Sequence, residues 1–342
     1  MKKSLIALAV AGVVSAPAFA ATSNVDVYGQ LRMSVDRLSV DGDDNDGWQM
    51  TDRVSRIGFK GSEDLGGGLK ALWQIESQMS IDGGTIDSGL RNTFIGLAGG
   101  FGTVVLGRHD TPYKMVGSAD LFGDTAADAQ CSAGGVATSQ CIIGRNAFDN
   151  RAANTLAYIS PDFSGFQVAA AIVPGEEMGG TTASNDANGL MDAYSLSATY
   201  KNGPLNAGLG YERFDGDMAS AVTTGLEDRD AWKFNIGYAF GDLKVGYTYE
   251  RSDNASVATG QEQDSGHLLS AAYGMGPITL AAQYGRFSDD TSGFDDVKRW
   301  TVGAIYSLSK RTNVYAAYHD GNANNAAGTD IDVWTFGMNH SF

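Results

Sequence analysis

The chain has 342 residues, 45 of them Gly and only 6 Pro, with a hydrophobic fraction of 43% and a formal net charge of −16. That acidity argues against nucleic-acid binding, which needs basic patches. The length would allow about two soluble domains, but no shift of composition marks a linker, so one repeated pattern fills the chain.

The first segment, MKKSLIALAVAGVVSAPAFA, sets Lys2 and Lys3 before an apolar run and ends on Ala18-Phe19-Ala20. This is the pattern of a secretory signal cleaved after Ala20, leaving residues 21–342 as a single domain. Losing its two lysines takes the net charge from −16 to −18. After it, no run reaches the ~18–20 apolar residues of a membrane-spanning helix.

Period-2 alternation then takes over. In VDVYGQLRMSVD, Val25, Val27, Leu31, Met33 and Val35 oppose Asp26, Gln30, Arg32, Ser34 and Asp36. Sixteen such stretches are predicted as strands, near 24–37, 52–61, 68–80, 90–98, 102–110, 151–160, 164–173, 191–200, 204–213, 230–240, 242–250, 265–273, 277–286, 297–307, 311–319 and 331–342. Their connections alternate in length. SEDLGGG, AGGFG, SPDFSG, KNGP, FGD, GMGP and LSKR are short and supply tight turns. The others are long and polar, beginning with SVDGDDNDGWQM. Neighbouring strands therefore run antiparallel, and every long loop emerges at one end.

A half-apolar sheet of this size suits a soluble sandwich or a transmembrane barrel with lipid outside and water within. In hydrocarbon an unpaired backbone group costs several kcal/mol, so a spanning sheet must close on itself. The even strand number, the loop asymmetry and the aromatics near strand ends favour the barrel. About sixteen strands leave the lumen aqueous. The last stretch, WTFGMNHSF, alternates up to Phe342 because the final strand must pair with the first.

DVYGQLR, SRIGFKGSEDLGGGLKALWQIE, RNTFIGLAGGFGTVVLGRHDTPY, YISPDFSGFQ and the terminal Phe resemble the general (non-specific) porins of Gram-negative outer membranes over essentially the whole mature chain. The resemblance implies a 16-stranded antiparallel homotrimeric barrel whose third long loop, here the 111–150 insertion, folds inward to narrow the pore. It implies an acidic loop tip at Asp120 and Asp124 and a basic wall of Arg56, Arg91 and Arg151. Arg32 takes the place of a first-strand charge where this chain has Gln30. Asp128, Lys114 and Arg145 are further candidates. Phe342 is expected to be read by the outer-membrane assembly machinery, and outer-membrane lipid and lipopolysaccharide are the expected surroundings.

An arginine on the lipid face costs ~2–4 kcal/mol at mid-membrane, which favours the lumen for Arg56 and Arg91. Cys131 and Cys141 are the only cysteines and lie within the insertion of an exported chain, so a disulfide between them is expected. DGDDNDG misses the calcium-loop register, the four histidines lack ligand spacing, and no nucleophile motif is present. No cofactor and no metal are expected.

The function expected is passive diffusion of small hydrophilic solutes and ions across the outer membrane, with weak cation preference. The alternatives are a substrate-selective porin for a sugar or carboxylate, an outer-membrane barrel enzyme, or a secreted adhesive sandwich.

Overall fold

The computed structural model describes residues 24–41, 46–86, 89–130, 140–145, 148–175, 189–215, 228–253, 263–288, 296–322 and 330–342. Residues 1–20, expected from the sequence to be a signal, lie outside them. Seventeen strands follow in order: β1 (Asn24–Val40), β2 (Gly47–Asp52), β3 (Arg56–Gly66), β4 (Leu69–Gln78), β5 (Thr93–Gly99) and β6 (Gly102–Asp110). A single helical turn, α1 (Pro112–Met115), opens the 111–150 segment. Then come β7 (Arg151–Ile159), β8 (Phe166–Val173), β9 (Ala193–Asn202), β10 (Leu205–Phe214), β11 (Arg229–Phe240) and β12 (Leu243–Asp253). The last are β13 (Gln263–Met275), β14 (Ile278–Ser288), β15 (Val297–Ser307), β16 (Thr312–Asn322) and β17 (Asp330–Ser341).

All of them belong to one antiparallel sheet in which successive strands pair, except that β2 and β3 do not pair with each other, and β1 closes it by pairing with β17. The barrel nevertheless has sixteen staves. β2 and β3 both pair with β1, from Leu38↔Gly47 to Met33↔Asp52 and then from Gln30↔Arg56 to Asn24↔Ser62. Three steps along β1 thus match four along its partner, and the extra residue is a bulge. Val54 takes up the distortion at φ 61°, a left-handed conformation that a β-branched residue seldom adopts. The second stave therefore begins at Gly47, inside the stretch read as loop from its acidic sequence. Exposed Trp48 and Met50 continue the outward alternation there.

Strand parity separates two surfaces. Outward positions are large and exposed: Val25, Val27, Ile95, Leu97, Leu209, Leu269, Leu280 and Val302 form an apolar band. Exposed Trp232, Tyr284, Trp300 and Trp334 stand near the loop ends of their strands, and Tyr158, Phe166, Tyr238, Tyr273 and Tyr306 near the turn ends. An apolar belt between two aromatic girdles matches the cross-section of a bilayer, whose interfaces favour Trp and Tyr. Many inward positions of β7–β16 are small and buried, among them Ala157, Ala171, Ala231, Ser270, Ala281 and Ala317. The 111–150 segment packs on several of them, with Phe122 and Ala127 against Ala281 and Ala317 and Tyr113 and Phe148 against Ala231.

Candidate pore constriction

Thr111 and Pro112 start the inward segment. The Thr111 side chain caps α1 by accepting from the Lys114 amide, and Pro112 sits where the missing N–H costs nothing. From there the segment crosses the inner wall on hydrogen bonds to inward side chains. The Tyr113 amide donates to Ser195 Oγ on β9 at 2.8 Å, and its hydroxyl to Glu250 Oε2 on β12 at 2.9 Å. The Ala119 amide donates to Thr248 Oγ1 at 2.7 Å, Leu121 to Gln283 Oε1 at 3.0 Å, and Gly144 to Glu250 Oε1 at 2.7 Å. Inward side chains of β9–β14 thus supply acceptors for backbone that would otherwise be buried unpaired.

The seat is shaped by absent side chains. A Cβ on Gly285 would lie 2.6 Å from Ile142 Cγ1, and one on Gly266 would strike the Ile142 carbonyl oxygen. Ile142 and Ile143 fill that space with Leu268, Phe287 and Val297. A second cluster sets Phe122 against Ala281 and Ala317.

The opposite wall, from β1 to β7, holds the four arginines. Arg32 Nη1 meets Asp124 Oδ2 at 2.9 Å, and Arg56 Nη1 approaches the same oxygen at 3.7 Å. Arg56 also donates to Gln30 Oε1 at 2.6 Å. Arg91 pairs with Glu76 at 2.7 Å. Arg151 pairs with Asp110 at 2.9 Å and donates to Asn92 Oδ1. All four arginines are between 14 and 17% exposed, consistent with groups lining a wet passage. Asp124 of the expected acidic tip thus reaches the basic wall and touches it.

The other named acid has a different place. Asp120 accepts from the amides of Phe122 and Ala129, at 2.8 and 2.9 Å, and so folds the segment upon itself. Asp128 is buried inside the turn, accepting from the amides of Asp124 and Gln130. Burial, the Asp120 carboxylate and a hydrogen bond with it push the Asp128 carboxyl well above its ordinary range. Lys114 bonds Asp149, and Arg145 packs over the Phe287 ring at 4.1 Å and donates to the Cys141 carbonyl. Cys141 is buried, while Cys131 lies outside the described residues. Sequence reasoning missed Glu76, Asp110, Gln78 and Asn92, the partners of the arginines. Glu76 had a legible signal, since it shares the lumen parity of Gln74 and Gln78 in LKALWQIESQ.

A family model described as Gram-negative porin matches residues 7–328. The chain belongs to this family. It is a channel protein of the bacterial outer membrane, not an enzyme. This porin is 32% identical to outer membrane porin protein 32 of Delftia acidovorans over 92% of its length and 88% of the relative's. It is 29% identical to the major outer membrane protein P.IB of Neisseria lactamica, with 100% of both chains covered. Among solved structures, the anion-selective porin from Comamonas acidovorans superposes with a TM-score of 0.77 at 25% identity, covering 94% of this chain and 100% of that one.

Proposed function

We propose that this porin is a general diffusion channel: small hydrophilic solutes and ions pass down their gradients between the inward segment and the arginine wall. The contact of Asp124 with Arg32 and Arg56 carries this reading, because it sets a polar, hydrated neck beside a segment packed on the other wall. Such a site needs many weak contacts and no tight one. A stacked aromatic track would favour a selective porin, but Tyr113, Phe122 and Phe148 of the segment and Phe287 of β14 are buried instead of lining the water path.

Selectivity is the balance of two charges. At the neck four arginines face Asp124, Glu76 and Asp110, an excess of one positive charge, and the structural relative from Comamonas is anion-selective. The acidic loops at the mouth, in a chain of net charge −16, raise the local cation concentration. We assign a weak overall cation preference with the arginines as the brake upon it. Arg56 shares its carboxylate with Arg32, so it is the least compensated of the four. Planar-bilayer recording in a salt gradient tests this: Arg56→Ala should raise cation preference, and a strongly anion-selective wild type overturns the assignment.

The same reading includes a cleaved signal over residues 1–20, a homotrimer embedded in lipid and lipopolysaccharide, and recognition of Phe342 by the assembly machinery. It includes a Cys131–Cys141 bridge within the inward segment: Cys141 is not a free thiol, and Cys131 is the one other cysteine of the chain.

A further inference from the structure

Arg299 stands on β15 with its side chain turned inward, 3% exposed, and makes no ion pair with a carboxylate among the described residues. It donates to three main-chain carbonyls of the inward segment. Nη2 reaches Ala127 O at 2.5 Å, and Nη1 reaches Asp128 O at 2.7 Å and Gln140 O at 3.1 Å. These carbonyls lie on two different runs of chain, one before and one after residues 131–139. The grip on the second run is reinforced. Gln140 Oε1 contacts His319 Nε2 at 2.8 Å, and its amide nitrogen donates to the carbonyls of Gly321 and Ile331. Gly321 leaves the room, since a Cβ there would fall 2.7 Å from Arg299 Cβ.

A buried guanidinium spent on backbone carbonyls is costly to desolvate, so what it holds is informative. The first run leads directly to the neck. Arg299 fixes the carbonyl of Asp128, the Asp128 carboxylate accepts from the Asp124 amide at 2.8 Å, and the Asp124 carboxylate meets Arg32 and Arg56. We propose that Arg299 is the positioning residue of the constriction: it clamps both runs of the inward segment and, through Asp128, holds Asp124 against the arginine wall. It touches no solute. It determines selectivity by fixing where Asp124, the one carboxylate paired with Arg32 and Arg56 among the described residues, stands.

The test takes the full-length porin, with Arg299→Leu removing every donor and Asp128→Ala cutting the relay one link further on. Both variants should lower the cation-to-anion permeability ratio, by about twofold, as Asp124→Asn does, because each leaves two arginines without their carboxylate. Arg299→Leu combined with Asp124→Asn should shift the ratio no further than Asp124→Asn alone, the mark of residues acting in series. Limited proteolysis of the folded barrel gives a readout that does not depend on conduction: cleavage within 111–150 should be several-fold faster in both variants. A residue that merely stabilises the barrel would change yield or melting without moving the ratio. Wild-type permeability and wild-type cleavage in Arg299→Leu overturn the proposal. If that variant fails to fold, the same result in Asp128→Ala overturns it. A wild-type porin that conducts nothing would sink the diffusion reading and leave the cleavage comparison to decide the clamp.

Discussion

At the scale of single residues, the neck is governed by which carboxylate each arginine owns. Arg91 and Glu76 form a private pair at 2.7 Å, and the Tyr28 hydroxyl donates to the other Glu76 oxygen at 2.9 Å. Glu76→Gln should therefore free one positive charge at the wall and move the reversal potential towards anions, the reverse of Arg56→Ala. Asp128 adds a pH dependence. Its carboxyl is held well above the ordinary 3.8 by burial first and by Asp120 second. A raised carboxyl contributes its stability in full below the unfolded value and loses it as the pH climbs through the folded one. The inward segment should accordingly be most firmly seated in acid and loosen above the ordinary carboxylate range. Spontaneous closing events, recorded from acid to alkaline pH, should become more frequent in the wild type and stay level in Asp128→Asn. An arginine on the lipid side would be expensive, which pointed Arg56 and Arg91 to the lumen from the sequence, whereas Arg32 and Arg151 rested on the resemblance to porins. Their partners were less legible: an acid on a strand's inner parity looks the same whether it is paired or solvated.

At the scale of elements, alternation of large and small residues revealed the staves, and the alternation of short and long links revealed their direction. The bulge at Arg53–Ser55 was not legible. The run DGDDNDG reads as loop, and only pairing with β1 draws Gly47–Asp52 into the sheet. The path of the inward segment was equally hidden, because its seat is written as glycines and alanines on strands distant in sequence. Gly266 and Gly285 belong to β13 and β14, yet their missing side chains are what Ile142 needs. Gly266→Ala should push the segment off the wall, since the intruding Cβ meets backbone that cannot rotate away. Overpacking of this kind typically costs ~1–3 kcal/mol. The expected outcome is a folded barrel with a narrower or flickering conductance. Gly274→Ala is the control, for its Cβ would meet nothing nearer than the Asp242 carbonyl at 3.8 Å. Equal single-channel records from the two variants would show that the seat is not set by these glycines.

At the scale of the whole molecule, one seam decides whether a sheet becomes a channel. β17 pairs with β16 along one edge and with β1 along the other, from Gln30↔Ser341 to Val40↔Ile331. The seam ends on Phe342, whose amide donates to Gly29 O at 3.1 Å and whose carbonyl accepts from Gly29 N at 3.2 Å. The ring covers Gly29 so closely that a Cβ there would lie 2.6 Å from the Arg56 carbonyl and collide with the ring. Phe342 is thus both the last rung of the closing ladder and an exposed aromatic at the turn-end interface. These two roles separate by experiment. Phe342→Ala keeps the main-chain rung and removes only the ring, whereas deletion of Phe342 removes both. An unpaired edge in lipid costs several kcal/mol per group, so the deletion should lower the temperature at which the folded barrel converts to the unfolded form in detergent electrophoresis. The alanine variant should melt close to the wild type. If it also refolds from urea into detergent as fast as the wild type yet accumulates poorly in cells, the ring serves recognition during assembly. If it melts as early as the deletion, the ring's packing over Gly29 holds the seam and the assembly role falls.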